Sequence, residues 1–170
     1  MSKKQFTVTS ALPYANGPLH IGHMAGAYLP ADIFVRYQRL KENEVLFICG
    51  SDEHGAAITL RSKKENISPQ EIVDKYHNIN KQSFKDFGIN FSIFHRTSSE
   101  LHHKTAREFF SNLLDDKKFI KKYTKQFFDK KNNQFLADRY ISGECPKCGY
   151  LSAYGDQCEK CGSTLSPEEL

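Results

Sequence analysis

The chain has 170 residues, 24 Lys and Arg against 20 Asp and Glu, and a formal net charge of +4. That length allows one domain with a small appendage, and so mild a basic balance does not by itself imply a nucleic-acid partner. The apolar fraction is 39%, no stretch approaches the roughly 18 apolar residues of a membrane span, and "MSKKQFTVTS" has no apolar segment of a secretory signal, so the expectation is a cytoplasmic protein with no membrane association.

In chain order, "QFTVTSA" (5–11) alternates Phe6 and Val8 with Thr7 and Thr9 and predicts a strand. "LPYANGPL" is a loop punctuated by Pro13, Gly17 and Pro18. From His20 to about Asn43 the apolar spacing is helical, with Pro30 expected to kink or divide the helix. "EVLFICG" (44–50) is a continuous apolar run that predicts a strand buried on both faces of a parallel sheet. Strand, loop, helix and strand make a βαβ unit with a right-handed crossover.

Two further helices are marked by caps. "SPQE" offers Ser68 as N-cap, Pro69 in the first turn and Glu71 to close a capping box; "TSSE" repeats the device with Thr97 and Glu100. "INFSIF" (89–94) between them predicts a third strand, and the last of these helices should stop near Lys118. Residues 117–141 alternate lysines with aromatic and aliphatic residues around "DKKNN", which predicts a β-hairpin. The terminal "SPEEL" looks like a helix start without a body and points to a longer polypeptide.

Four of the five cysteines form C-x2-C-x9-C-x2-C: Cys145, Cys148, Cys158 and Cys161. Each half can bend around one ion, with Gly149 and Gly162 easing the turns, and four thiolates at about 2.3 Å make a closed tetrahedral zinc site. A closed site leaves no position for substrate, so one structural Zn²⁺ per chain is expected; two disulfides or free thiols are the alternative, disfavoured in a reducing compartment. Cys49, alone in an apolar strand, reads as a small buried residue.

"GPLHIGH" (17–23) places His20 and His23 three apart at the start of a helix that follows a strand. There, backbone N–H groups and the helix dipole suit phosphate, two imidazoles can add donors to phosphate oxygens, and Gly22 leaves room for a flat ligand against the backbone. Two capping or surface histidines are the plainer alternative. "GSDEHG" (50–55) ends the second strand at the same sheet edge. Its carboxylates, Asp52 and Glu53, would either hold an ammonium group or form a solvated acidic loop, and the residues alone leave both readings open. Neither G-x-x-x-x-G-K-[ST] nor G-x-G-x-x-G occurs.

Taken together, "ALPYANGPLHIGH", "FICGSDEHG" and the four-cysteine knuckle resemble the start of the methionyl-tRNA synthetases, a family of class I aminoacyl-tRNA synthetases. The resemblance runs through essentially the whole chain and implies an α/β fold: residues 1–116 as the first half of a Rossmann-like, parallel-sheet nucleotide-binding domain, and 117–170 as the start of a zinc-binding connective-peptide insert. It implies that His20, Gly22 and His23 bind ATP, that His20 and His23 act catalytically on the departing pyrophosphate, and that Ala11, Leu12, Tyr14 and Asp52 bind methionine, Asp52 through the α-amino group. ATP with Mg²⁺, L-methionine and tRNA(Met) are the implied substrates, and the lysines after position 117 would face either the tRNA acceptor end or solvent. The family's KMSKS-type lysine loop is missing from this sequence, so weak or no activity is expected of the 170 residues alone. A nucleotidylyltransferase with an H-x-G-H turn and a non-catalytic, zinc-bearing RNA-binding module are the alternatives; the cysteine insert and "GSDEHG" argue against the first, and the basic, aromatic-rich stretch favours the second.

Overall fold

In the computed structural model, which describes residues 3–130 and 133–170, the first strand, β1, spans Gln5–Thr9. Phe6 and Val8 are half-buried while Thr7 and Thr9 are exposed, as the alternation predicts. The helical run that follows comprises α1 (Ile21–His23), a π-helical turn (Met24–Tyr28) and α2 (Leu29–Leu40). Pro30 neither ends nor sharply interrupts it. A proline ring crowds the carbonyl four residues back, and here the preceding turn has widened: Leu29 N–H reaches the Met24 carbonyl, five residues away.

β2 (Glu44–Ser51) and β3 (Ile93–Arg96) complete a parallel sheet of order β1-β2-β3. Only the second half of β2 is buried, with Phe47 inaccessible and Leu46 43% exposed, so the both-faces expectation holds at the strand's carboxyl end alone. The third strand starts four residues later than expected, because Ile89 and Phe91 are used in packing ahead of it. Between β2 and β3 lie α3 (Ala56–Glu65) and α4 (Pro69–Asp86). The first of these was not legible: Gly55 supplies no side-chain cap and the helix has only a weak apolar stripe. The second begins on the expected capping box, Ser68 with Glu71. α5 (Glu100–Asp115) is capped by Ser99 rather than Thr97, since the Thr97 hydroxyl is occupied by the backbone of Glu53; it also ends three residues earlier than expected.

Two apolar clusters hold these elements. Met24, Tyr28, Val35, Phe47, Phe84 and Ile89 pack between the helices and the sheet, with the Tyr28 and Phe84 rings edge-on at 4.7 Å. Ala15, Ile58, Ile72, Val73 and Tyr76 join α3 and α4 to the loop after β1. Cys49 is buried, and desolvation pushes its thiol up to about 11, which keeps it an unreactive core residue.

The chain divides into two units, Met1–Asp116 and Lys117–Leu170. In the second, the broad hairpin expected over 117–141 is reduced to β4 (Phe128–Asp129) paired with β5 (Gln134–Phe135), with the Phe128 and Phe135 rings 5.0 Å apart. Part of the "DKKNN" turn lies outside the described residues. A second short antiparallel pair, β6 (Ser142–Gly143) with β7 (Ala153–Tyr154), leads into the cysteine region. The terminal Ser166–Glu169 capping box forms around a single 3₁₀ turn.

Candidate functional site

The carboxyl ends of β1 and β2 are joined beyond the regular ladder. Ala15 N–H donates to the Asp52 carbonyl at 2.8 Å and Asp52 N–H to the Pro13 carbonyl at 2.9 Å. These bonds set Tyr14 beside Asp52. The Tyr14 hydroxyl then donates to the His54 carbonyl at 2.6 Å. Gly55 is required here: its φ is +112°, and a Cβ would strike the Tyr14 hydroxyl.

His20 and His23 form a reciprocal cap. His20 is the N-cap of α1; its Nδ1 accepts from His23 N–H at 3.4 Å, and His23 Nδ1 accepts from His20 N–H at 3.3 Å. The imidazoles stack at 3.7 Å between centroids and 20° between planes. An Nδ1 that accepts a hydrogen bond carries no proton, so in the neutral rings both protons sit on Nε2. Both side chains are exposed, so the pair can present two Nε2–H donors. The space beside Gly22 is filled by His20 itself, since a Cβ there would come within 3.1 Å of its ring.

The loop carrying these histidines is anchored from α4. Asn80, fully buried, accepts from Leu19 N–H at 3.2 Å and donates to the Gly17 carbonyl at 3.4 Å. A polar residue on the apolar face of α4 was the available signal, but nothing in the sequence says which loop it meets. Next to the loop, Ala11, Leu12, Tyr14, His23, Ala27 and Tyr28 line a cleft of about 320 Å³.

The two acidic residues of "GSDEHG" part company. Glu53 is buried, and its carboxylate accepts from Arg96 Nε at 2.7 and 2.9 Å and from the Ser98 hydroxyl. Arg96 continues to Asp74, and Ser51 Oγ meets His77 Nδ1 at 2.8 Å. Burial, and then the Arg96 charge, lower the pKa of His77, so it is held neutral. Thus Ser51 and Glu53, on either side of Asp52, are both fixed inward. Asp52 is half-buried and receives a bond from His54 N–H at 3.4 Å. Alternation along an extended backbone separates the two carboxylates, leaving Asp52 as the acid beside Tyr14.

In the second unit the two C-x2-C turns have matching backbones. Gly149 N–H donates to the Cys145 carbonyl at 2.9 Å and Gly162 N–H to the Cys158 carbonyl at 2.8 Å, with φ of +69° and +70° at the glycines. The four sulfurs lie within 4.8 Å of one another, none is in a disulfide, and together they could hold a metal ion. Ala153 and Leu165 pack against Cys145 and Cys158.

A family profile described as tRNA synthetases class I (M) matches residues 6–170. The methionine--tRNA ligase of Bacteroides fragilis is 61% identical over 167 residues, covering 98% of this chain and 25% of that protein. The Cytophaga hutchinsonii methionine--tRNA ligase is 62% identical over 166 residues, 98% of this chain and 24% of its own. The chain thus spans about a quarter of the length of these curated relatives. Among solved structures, Mycobacterium tuberculosis methionyl-tRNA synthetase in complex with methionyl-adenylate shares the fold with a TM-score of 0.70 at 20% identity, covering 89% of this chain and 30% of that one. The three parallel strands and their connecting helices are accordingly a Rossmann-like synthetase sheet, and the chain belongs to the methionyl family of class I tRNA synthetases.

Proposed function

We propose that this chain contributes the amino-acid and ATP-facing part of a methionine-tRNA ligase. The observation that carries the proposal is that Tyr14, bridged to Asp52 just beyond β1 and β2, lines one cleft with His23 of the stacked His20–His23 pair, at the sheet edge where open α/β sheets bind ligands. The methionine carboxylate attacks the α-phosphate of ATP, the bond to the β-phosphate breaks, and methionyl-adenylate and pyrophosphate form. The methionyl group is then esterified to the terminal adenosine of tRNA(Met), for initiation and elongation of translation in the cytoplasm.

Asp52 holds the α-ammonium group, and Ala11, Leu12 and Tyr14 border the side chain in the cleft next to His23. His20 and His23 donate Nε2–H to phosphate oxygens whose charge grows as pyrophosphate departs. Gly22 keeps the imidazole stack in place beside the nucleotide. Mg²⁺ enters as part of the ATP substrate. Catalysis of this kind is positioning and electrostatics, which suits a site whose loops are tied down at Asn80, Glu53 and Tyr14.

In this reading residues 1–116 are the N-terminal half of the catalytic domain and 117–170 the start of the connective peptide. Cys145, Cys148, Cys158 and Cys161 hold one structural zinc ion. Sulfurs about 2.3 Å from a tetrahedral zinc stand about 3.8 Å apart. Cys145 and Cys161 are 3.9 Å apart, Cys148 and Cys158 3.6 Å.

A chimera tests the reading. Residues 1–170 replace the matching quarter of the Bacteroides fragilis enzyme, and methionine-dependent ATP–pyrophosphate exchange is measured. Exchange should be retained, and His20→Ala or His23→Ala should lower its kcat by about 10²–10³-fold with a smaller effect on methionine binding. Asp52→Ala should instead act chiefly through methionine. A chimera whose exchange ignores both histidines would refute the assignment.

A further inference from the structure

We infer a second metal site, formed by His54 and His103 and separate from the four cysteines, that takes a zinc ion or a similar divalent transition ion. His54 lies in the loop after β2 and His103 in the first turns of α5. Their Nε2 atoms face each other at 3.4 Å, with ring centroids 5.4 Å apart and planes at 51°. Nitrogens bound at about 2.0–2.1 Å to one tetrahedral ion stand about 3.3–3.4 Å apart. The separation is therefore that of two neighbouring ligands of one ion.

The rest of His54 is arranged as a ligand would be. Its Nδ1 is 3.1 Å from Thr97 Oγ1, which also accepts from Glu53 N–H at 2.9 Å. With Nδ1–H donating to that hydroxyl, Nε2 keeps its lone pair directed at His103, the orientation that outer partners impose on ligating histidines. The backbone is held too: His54 N–H meets Asp52 Oδ1 at 3.4 Å and its carbonyl accepts from Tyr14 at 2.6 Å. Both imidazoles are exposed, so water can fill the remaining positions of the ion. An ion there ties the loop that carries Asp52 to α5.

The test titrates zinc into the chain with its four cysteines already saturated, using a chromophoric chelator as competitor and imidazole ¹⁵N spectra as the site-specific readout. A further equivalent should bind, and the Nε2 resonances of His54 and His103 should shift together while those of His20 and His23 stay. His54→Ala and His103→Ala should each weaken that equivalent by at least about tenfold, and His102→Ala should leave it unchanged. Both substitutions are on exposed side chains, and thermal unfolding of each variant confirms that it folds. Unshifted Nε2 resonances for His54 and His103, unchanged zinc affinity in both alanine variants, or an equal loss in His102→Ala would overturn the inference.

Discussion

The side chains at the centre of the first unit, among them Met24, Phe47 and Phe84, are apolar and come from a helical turn, a strand and a helix well separated in the chain. At the centre of the second are four cysteines within seventeen positions, with Ala153 and Leu165 packed beside them. Burial of apolar area can hold a parallel sheet where helices pack on it, as the cluster around Phe47 and Phe84 does here. A 54-residue segment with two-residue strand pairs has little such area, and in the proposed zinc-bound form the ion supplies the cohesion instead. The two units should therefore fail under different insults.

The largest expected effect is on the second unit. Structural zinc binding is worth about 10–16 kcal/mol in small modules, so chelation or Cys145→Ser should unfold the region after about residue 140. Amide exchange of β1, β2 and β3 should be unmoved. Retention of the knuckle's protected amides in metal-free protein would remove the distinction between the units. Conversely, Phe84→Ala leaves a cavity between α4 and the sheet and should cost about 3–5 kcal/mol in the first unit. The metal-dependent transition of the second unit should stay where it was, as read by urea denaturation followed separately in each unit.

A smaller change sharpens the picture of the site within the first unit. Asn80→Ala leaves Leu19 N–H and the Gly17 carbonyl without their buried partner, at about 1–3 kcal/mol. Faster amide exchange should appear first at residues 17–20, ahead of any loss in the sheet. Exchange that rises uniformly across the unit would mean that Asn80 serves the core and not the loop.

The smallest effect is pH-dependent. His77 is held neutral because burial, then Arg96, lowers its pKa from the usual 6.5. The unfolded chain takes up this proton as pH falls through 6.5 and the folded chain only at lower pH, so stability is full above 6.5 and declines as pH falls towards the lowered folded value. The carboxylates Glu65 and Asp74, both lowered by hydrogen bonds to basic side chains, contribute only in the more acidic range, Glu65 between about 4.5 and about 2. His77→Gln should flatten the Tm profile just below pH 6.5, while the knuckle, which lacks a histidine, should show no matching limb. An unchanged profile in the variant would show that His77 titrates alike in both states.

Local signals decided much of this protein from the sequence alone. Strand alternation at Phe6 and Val8, the Ser68–Glu71 capping box, and the two C-x2-C turns each involve residues within a few positions of one another, so chemistry and spacing suffice to read them. Residues that meet across the fold could not be read this way. Composition and spacing leave the adjacent acids Asp52 and Glu53 undistinguished, and Arg96, 43 residues on, is the partner that marks Glu53 as the buried one. Asn80 reaches the histidine loop over 61 residues, and Thr97 is lost as a helix cap because it meets Glu53 from another strand's end. The sequence by itself determined which chemical groups are present and the turns that bear them. Tertiary structure decided which groups are held and which are left facing the site, because buried polar atoms must find partners and those partners are supplied by distant segments.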